Sequence, residues 1–216
     1  MKKIILILIA AVALFACEND DYLVDGGVSD PNVGTTTLNF LKSHEQLDTF
    51  AILIERAGLA DEIDGNTTVF VANNVSINRY LDEVLTELRE TDPLAEYTIN
   101  DIPVDTLSKY MGAYIFNEKI TRDDMTKEGT VYTAINGMER RISLEPVLAG
   151  EIGYGDNLSD APEYVYYTYK YGEEWDEWDA LDDDTKVIVR TSNLLSTNGV
   201  IHVLQGSHTL FDYESN

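Results

Sequence analysis

The sequence predicts an α+β domain, and three observations predict it. Apolar residues recur at three- and four-residue spacing over residues 47–57 and 77–88, as amphipathic helices require. Thr67–Val71 and residues 200–204 are short runs rich in β-branched side chains, suited to buried strands. The single cysteine, Cys17, lies ahead of all of them. Neither a disulfide nor a thiolate metal site is therefore available to the folded part, which must be held by a core.

The front of the chain comes first in order. Lys2 and Lys3 precede twelve apolar residues, 4–15, and the run closes on Leu14-Phe15-Ala16-Cys17. Twelve residues are too few for a bilayer, which needs about 20, but suit the apolar core of a secretory signal. A buried helix here would lack any polar face. Leu14, Ala16 and Cys17 resemble the lipobox of bacterial lipoproteins, with Phe15 bulkier than is usual at its position. The resemblance implies that residues 1–16 are a signal peptide, removed on maturation, and that Cys17 is the lipid attachment point. Two or more acyl chains make a lasting membrane anchor. Residues 17–36, opening on Glu18-Asn19-Asp20-Asp21 and continuing through Gly26, Gly27, Pro31 and Gly34, read as an acidic flexible tether. Those first acids resemble the export signal of Bacteroidota surface lipoproteins, which implies an outer-membrane location facing outward.

Charge narrows the partners. The chain has 39 acidic and 15 basic side chains, and loss of Lys2 and Lys3 leaves 39 against 13, about −26. Such a surface repels phosphate backbones and anionic lipid head groups, so no nucleic acid is expected, and no membrane contact beyond the anchor. Neutral glycans, cations and basic proteins remain.

Order is expected from Thr36 or Thr37, either of which can cap a helix bearing Leu38, Phe40 and Leu41. A second helix carries Leu47, Phe50, Ala51, Leu53, Ile54 and Ala57 and ends at Gly58, where a left-handed residue belongs. A short turn over residues 59–63 leads to the strand Thr67–Val71. Asn73 or Asn74 then caps a helix with Ile77, Tyr80, Leu81, Val84, Leu85 and Leu88 on one face. Near the C-terminus Asn198-Gly199 suits a tight turn with positive φ, followed by a central strand.

This succession resembles a fasciclin-type domain. Thr68-Val69-Phe70-Val71-Ala72-Asn73-Asn74 is similar to the family's first box, in which Thr68, Val69, Phe70 and Asn73 hold structural positions. Thr191-Ser192-Asn193 with Asn198-Gly199-Val200-Ile201-His202-Val203 is similar to the second, with Asn198, Gly199 and His202 structural. Residues 107–125 follow the family's helix-to-strand passage. The resemblance covers about residues 37–213 and implies a β-sheet wedge with several helices packed on one side. It also implies binding or adhesive roles. Many animal members carry a Tyr-His pair tied to integrin contact, where this chain has Ala113 and Tyr114, so that route is not expected. Tyr114 fills a half-buried strand site on this reading, with Gly112 and Asn117 marking the bends.

One stretch, about 145–185, does not align comfortably and reads as an aromatic and acidic insertion. Strict alternation puts Tyr164 and Tyr166 on one face of a strand, and Tyr167, Tyr169 and Tyr171 on the other. Trp175 and Trp178, three apart, would share one helical turn. Aromatic faces flanked by carboxylates suit a glycan or a protein partner, and these seven residues are the candidate contacts. The competing reading is that they cover the domain's own core. From Glu173 to Asp184 eight of twelve residues are acidic, but no calcium-loop register is present, so a solvated loop is expected and no metal. His202 has no partner at ligand spacing and reads as hydrogen-bonded structure.

Enzyme motifs are missing: there is no Gly-rich phosphate loop, no Gly-x-Ser-x-Gly elbow and no His-Glu-x-x-His. The expectation is a cell-surface lipoprotein that binds or adheres and needs no cofactor. A specific form is an accessory subunit of an outer-membrane nutrient-uptake complex. The alternative is a glycan hydrolase using paired carboxylates, which needs only two acids at the right separation.

Overall fold

A computed structural model describes residues 30–146, 162–179 and 184–212. The signal sequence, Cys17, most of the tether and the segments 147–161 and 180–183 lie outside these residues, and so do Asp182 and Asp183. Helices α1 (Thr37–Ser43), α2 (Asp48–Ala57) and α3 (Ala60–Ile63) precede strand β1 (Thr67–Val71), and α4 (Asn74–Thr91) and α5 (Val104–Tyr110) follow it. A 3-10 turn, Met111–Tyr114, leads to β2 (Ile115–Phe116), then β3 (Thr130–Thr133), β4 (Glu139–Pro146), β5 (Glu163–Tyr169), β6 (Thr185–Leu195) and β7 (Gly199–Leu204).

Local chemistry sets the helix ends. The Thr36 hydroxyl accepts from the Asn39 N–H at 3.4 Å. Gly58 closes α2 at φ 76°, a left-handed value that costs glycine least. The Asn73 side chain caps α4 by accepting from Ser76 N–H at 3.1 Å, and its amide donates to Leu204 O at 3.1 Å, tying the helix to the end of β7.

Among the described residues seven strands form one sheet in the order β2-β1-β7-β6-β5-β4-β3. β1 and β7 are parallel and the other pairs antiparallel. Ile135 N–H donates to Ile115 O at 2.9 Å, bringing the chain just past β3 back to β2 so that the sheet nearly closes. Helices pack on one side, and the core gathers Phe50, Leu53 and Ile54 of α2 against Phe70, Tyr114 and Phe116. No helix among the described residues is long and apolar enough to cross a membrane.

Four expectations change. Residues 31–35 are not part of a free tether: Leu195 N–H donates to Pro31 O at 2.8 Å, Val33 N–H to Leu195 O at 2.9 Å and Thr197 N–H to Thr35 O at 2.9 Å. Asn198-Gly199 is not a positive-φ turn, since neither residue has positive φ. Gly199 is there because a Cβ would lie 2.4 Å from Thr67 O, and the Asn198 side chain accepts from Thr37 N–H at 2.9 Å. The apolar face of α4 is buried only early: Ile77 is inside, Val84 and Leu85 are half-buried, and Leu88 is 39% exposed. Eighteen residues make about 27 Å of helix, and its second half contributes no fully buried side chain. Tyr114 is fully buried at the end of the 3-10 turn, not half-buried in a strand.

Candidate functional site

Alternation along β5 sends its side chains to two different places. Tyr167 faces inward and is fully buried, with Tyr169 close behind. The Tyr167 hydroxyl accepts from Arg140 Nε at 2.8 Å and donates to Ala113 O at 3.0 Å. Its ring stacks with Tyr114 at 6.1 Å and meets Phe70 at 5.1 Å, and Phe70 stacks with His202 at 4.7 Å. Burial raises the phenol of Tyr167 above its usual range and pushes Tyr169 up to about 12. These two tyrosines are core residues and not contacts. Tyr166, on the opposite face, is also buried. The packing at both faces therefore removes three of the seven candidates.

His202 lies across this core. Its Nδ1 accepts from Asn193 N–H at 3.3 Å, and its Nε2 pairs with Ile120 O at 2.9 Å, so the neutral ring donates from Nε2. Burial lowers its pKa to about 4. Asn193 sits at φ 65° in the irregular stretch of β6, and its side chain accepts from Arg122 N–H at 3.1 Å. His208, buried as well and lowered to about 3 by burial and Arg140, pairs through Nε2 with the Tyr114 hydroxyl at 2.9 Å. Among the described residues no group of three His, Cys, Asp or Glu side chains is placed to hold a metal. Ala113 and Tyr114, at the integrin-pair positions, are both fully buried.

The outer face of the same sheet is polar and covered. Arg141, Ser143 and Glu145 of β4 pair across with Thr168, Tyr166 and Tyr164 of β5. The chain leaving β5 folds back over them. Asp184 accepts from Tyr171 N–H at 2.9 Å and Asp176 N–H at 3.0 Å, while Asp176 accepts from Asp184 N–H at 2.8 Å. Arg141 donates to Asp176 O and pairs with the buried Asp184 carboxylate at 3.5 Å, an ion pair without hydrogen-bond geometry. Lys186 bonds Glu145 at 2.9 Å and also Trp178 O, and Glu145 accepts from Ser143 at 2.6 Å. Asp176 and Asp184 are thus a clasp and not solvated acids.

This clasp holds the indoles. Trp175 and Trp178 do not lie on a helical turn, because residues 170–177 follow the Asp184 anchor with no helical hydrogen bonding. The Arg141 guanidinium stands 5.2 Å from the Trp175 ring and Lys127 stands 5.1 Å from that of Trp178. Both indoles stay half-exposed, Tyr171 is 49% exposed and Tyr164 is half-buried. These four remain of the candidate contacts. Sequence reasoning missed the clasp. Its only trace is the period-two series Arg141-x-Ser143-x-Glu145, polar residues at alternate positions of a strand whose other face is core.

The family comparison agrees with this architecture. A family model described as Fasciclin domain matches residues 45–206. A solved structure, "Novel Fold Revealed by the Structure of a FAS1 Domain Pair from the Insect Cell Adhesion Molecule Fasciclin I", is similar at 15% identity and a TM-score of 0.49, over 83% of this chain and 52% of that one. This chain spans about half the length of that domain pair. No curated protein matches it. The family match runs through both boxes and through the tyrosine-rich strand between them, and the chain belongs to the fasciclin domain family.

Proposed function

We propose that this chain is a surface lipoprotein of the Bacteroidota kind, anchored to the outer membrane through Cys17 and facing outward. Its fasciclin domain binds a partner at that surface, and the loop of residues 170–179 makes the contact. Fasciclin domains are known in cell adhesion proteins, which supports a binding role. The observation that carries the reading is the clasp: Asp176, Asp184 and Arg141 fix a loop whose Tyr171, Trp175 and Trp178 stay partly exposed. Ordering is completed before binding, so less affinity is lost to it, and rigid aromatic side chains are good anchors. The carboxylates of Asp176, Asp184 and Glu145 on this face are already engaged by backbone amides, Arg141, Ser143 and Lys186, which favours binding over hydrolysis.

With residues 31–35 held to the domain, the tether is about 14 residues, 17–30, and at 3.3–3.6 Å each it reaches at most roughly 50 Å, so a membrane-associated partner is favoured. The specific form is an accessory subunit of a nutrient-uptake complex. Affinity purification of the native lipoprotein from detergent-solubilised outer membrane tests it, with a stoichiometric transporter as the expected companion. Recovery of the lipoprotein alone argues for a free adhesin.

A further inference from the structure

At the other end of β5 from the 170–179 loop lies a second surface feature. Tyr164, Ile188, Arg190 and Gln205 line a groove of about 340 Å³. It opens where β5 and β6 separate: their ladder ends at the pair Tyr166 and Ile188, and β6 is irregular from Val189 onward. Five residues of strand separate Tyr164 from Tyr169, about 17 Å.

The lining is unusual for this chain. Acids outnumber bases 39 to 15 overall, yet among the described residues that line this groove none is acidic. Arg56, Arg79, Arg89, Arg122, Arg140 and Arg141 all engage carbonyls, carboxylates or rings. Among the described residues Arg190 is the one arginine with no such partner, and it is exposed. Among the described residues the Tyr164 hydroxyl and the Gln205 side-chain amide likewise meet no hydrogen-bond partner. The Gln205 backbone N–H is taken, donating to Ile188 O at 2.8 Å.

We infer that this groove binds a uronic acid residue of an acidic glycan. The sugar's C–H face lies on the Tyr164 ring and Ile188, its carboxylate is forked by Arg190, and its hydroxyls bond the Gln205 amide. A volume of 340 Å³ is at the small end of ligand pockets, the size for one or two rings. An acidic peptide fits less well, because the Gln205 N–H that would receive its backbone is occupied. This site is separate from the proposed contact loop, and neither reading depends on the other.

The test is titration calorimetry on the full chain in detergent, with trigalacturonate, its carboxyl-reduced neutral counterpart and triglutamate. Trigalacturonate is expected to bind. Carboxyl reduction or Arg190→Gln weakens it by about tenfold or more, as loss of a charge-assisted hydrogen bond does. Arg190→Lys restores part of the affinity, Tyr164→Ala removes most of it, and the double variant Trp175→Ala/Trp178→Ala leaves it unchanged. No binding at millimolar concentration overturns the inference. So does equal binding of the neutral trisaccharide, affinity untouched by Arg190→Gln, or triglutamate binding as tightly as trigalacturonate. Arg190 is exposed, so Arg190→Gln decides the matter even where Tyr164→Ala fails to fold.

Discussion

The two faces of β5 are built from the same alternating tyrosine-rich sequence and differ in what they do. On the inner face Tyr167 and Tyr169 join Phe70, Tyr114 and His202 in a closed aromatic core. On the outer face Tyr166 and Thr168 are covered by the chain's own loop, held by paired charges and capped by two half-exposed indoles. Aromatic content alone does not mark a binding surface. The difference lies in what stands opposite: helices and β1 inside, and a charged clasp outside.

Substitutions that separate the faces should differ in size. Phe70→Ala opens a cavity between His202, Tyr167 and Phe116, and is expected to cost about 3–5 kcal/mol in chemical denaturation. A loss below about 1 kcal/mol would break the picture of a packed inner face. Asp184→Ala leaves Arg141 buried without its carboxylate and unties two backbone amides, an expected cost of about 3 kcal/mol. Glu55→Ala, at the exposed pair with Lys42, is the control and should cost under about 1 kcal/mol.

Acid should act on the inner face. Burial lowers His202 to about 4 and His208 to about 3 from an ordinary value of 6.5. As pH falls the unfolded chain takes up these protons first, so their contribution is intact above about 6.5 and is lost through the interval down to 4 for His202 and 3 for His208. The slope is about 1.4 kcal/mol per pH unit for each ring. His202→Asn should flatten the dependence between 6.5 and 4 relative to wild type, whatever its effect at neutral pH. An unchanged slope would show that the ring charges in the fold. The smallest effect is expected at Tyr171→Ala, whose exposed ring should alter stability by no more than about 0.5 kcal/mol while weakening partner binding.

Signals that act locally were legible in the chain. Thr36, Gly58 and Asn73 announce helix ends because a cap works within three or four residues. The runs of β1 and β7 read as buried strands because both of their faces are apolar. The role of Gly199 was not legible, since its cause is the Thr67 carbonyl, 132 positions away in sequence yet 2.4 Å from where a Cβ would stand. The same holds for Asp184. Eight acids in twelve look alike in sequence, and only the fold shows which of them meets Arg141. The alternation of β5 separated Tyr164 and Tyr166 from Tyr167 and Tyr169, but Tyr171, expected on the inner face, lies past the end of the strand on the clasped loop, and which tyrosine stays exposed depends on strand pairing and on that loop.

One comparison tests the central claim that the clasped loop is a contact surface. Wild-type chain and the Trp175→Ala/Trp178→Ala variant are each carried through affinity purification from solubilised outer membrane and through a glycan array, with thermal unfolding followed in parallel. The account predicts a partner or glycan signal that falls at least about tenfold in the variant, as loss of aromatic anchors does, while the fold survives. A signal retained at the wild-type level by a folded variant would contradict it.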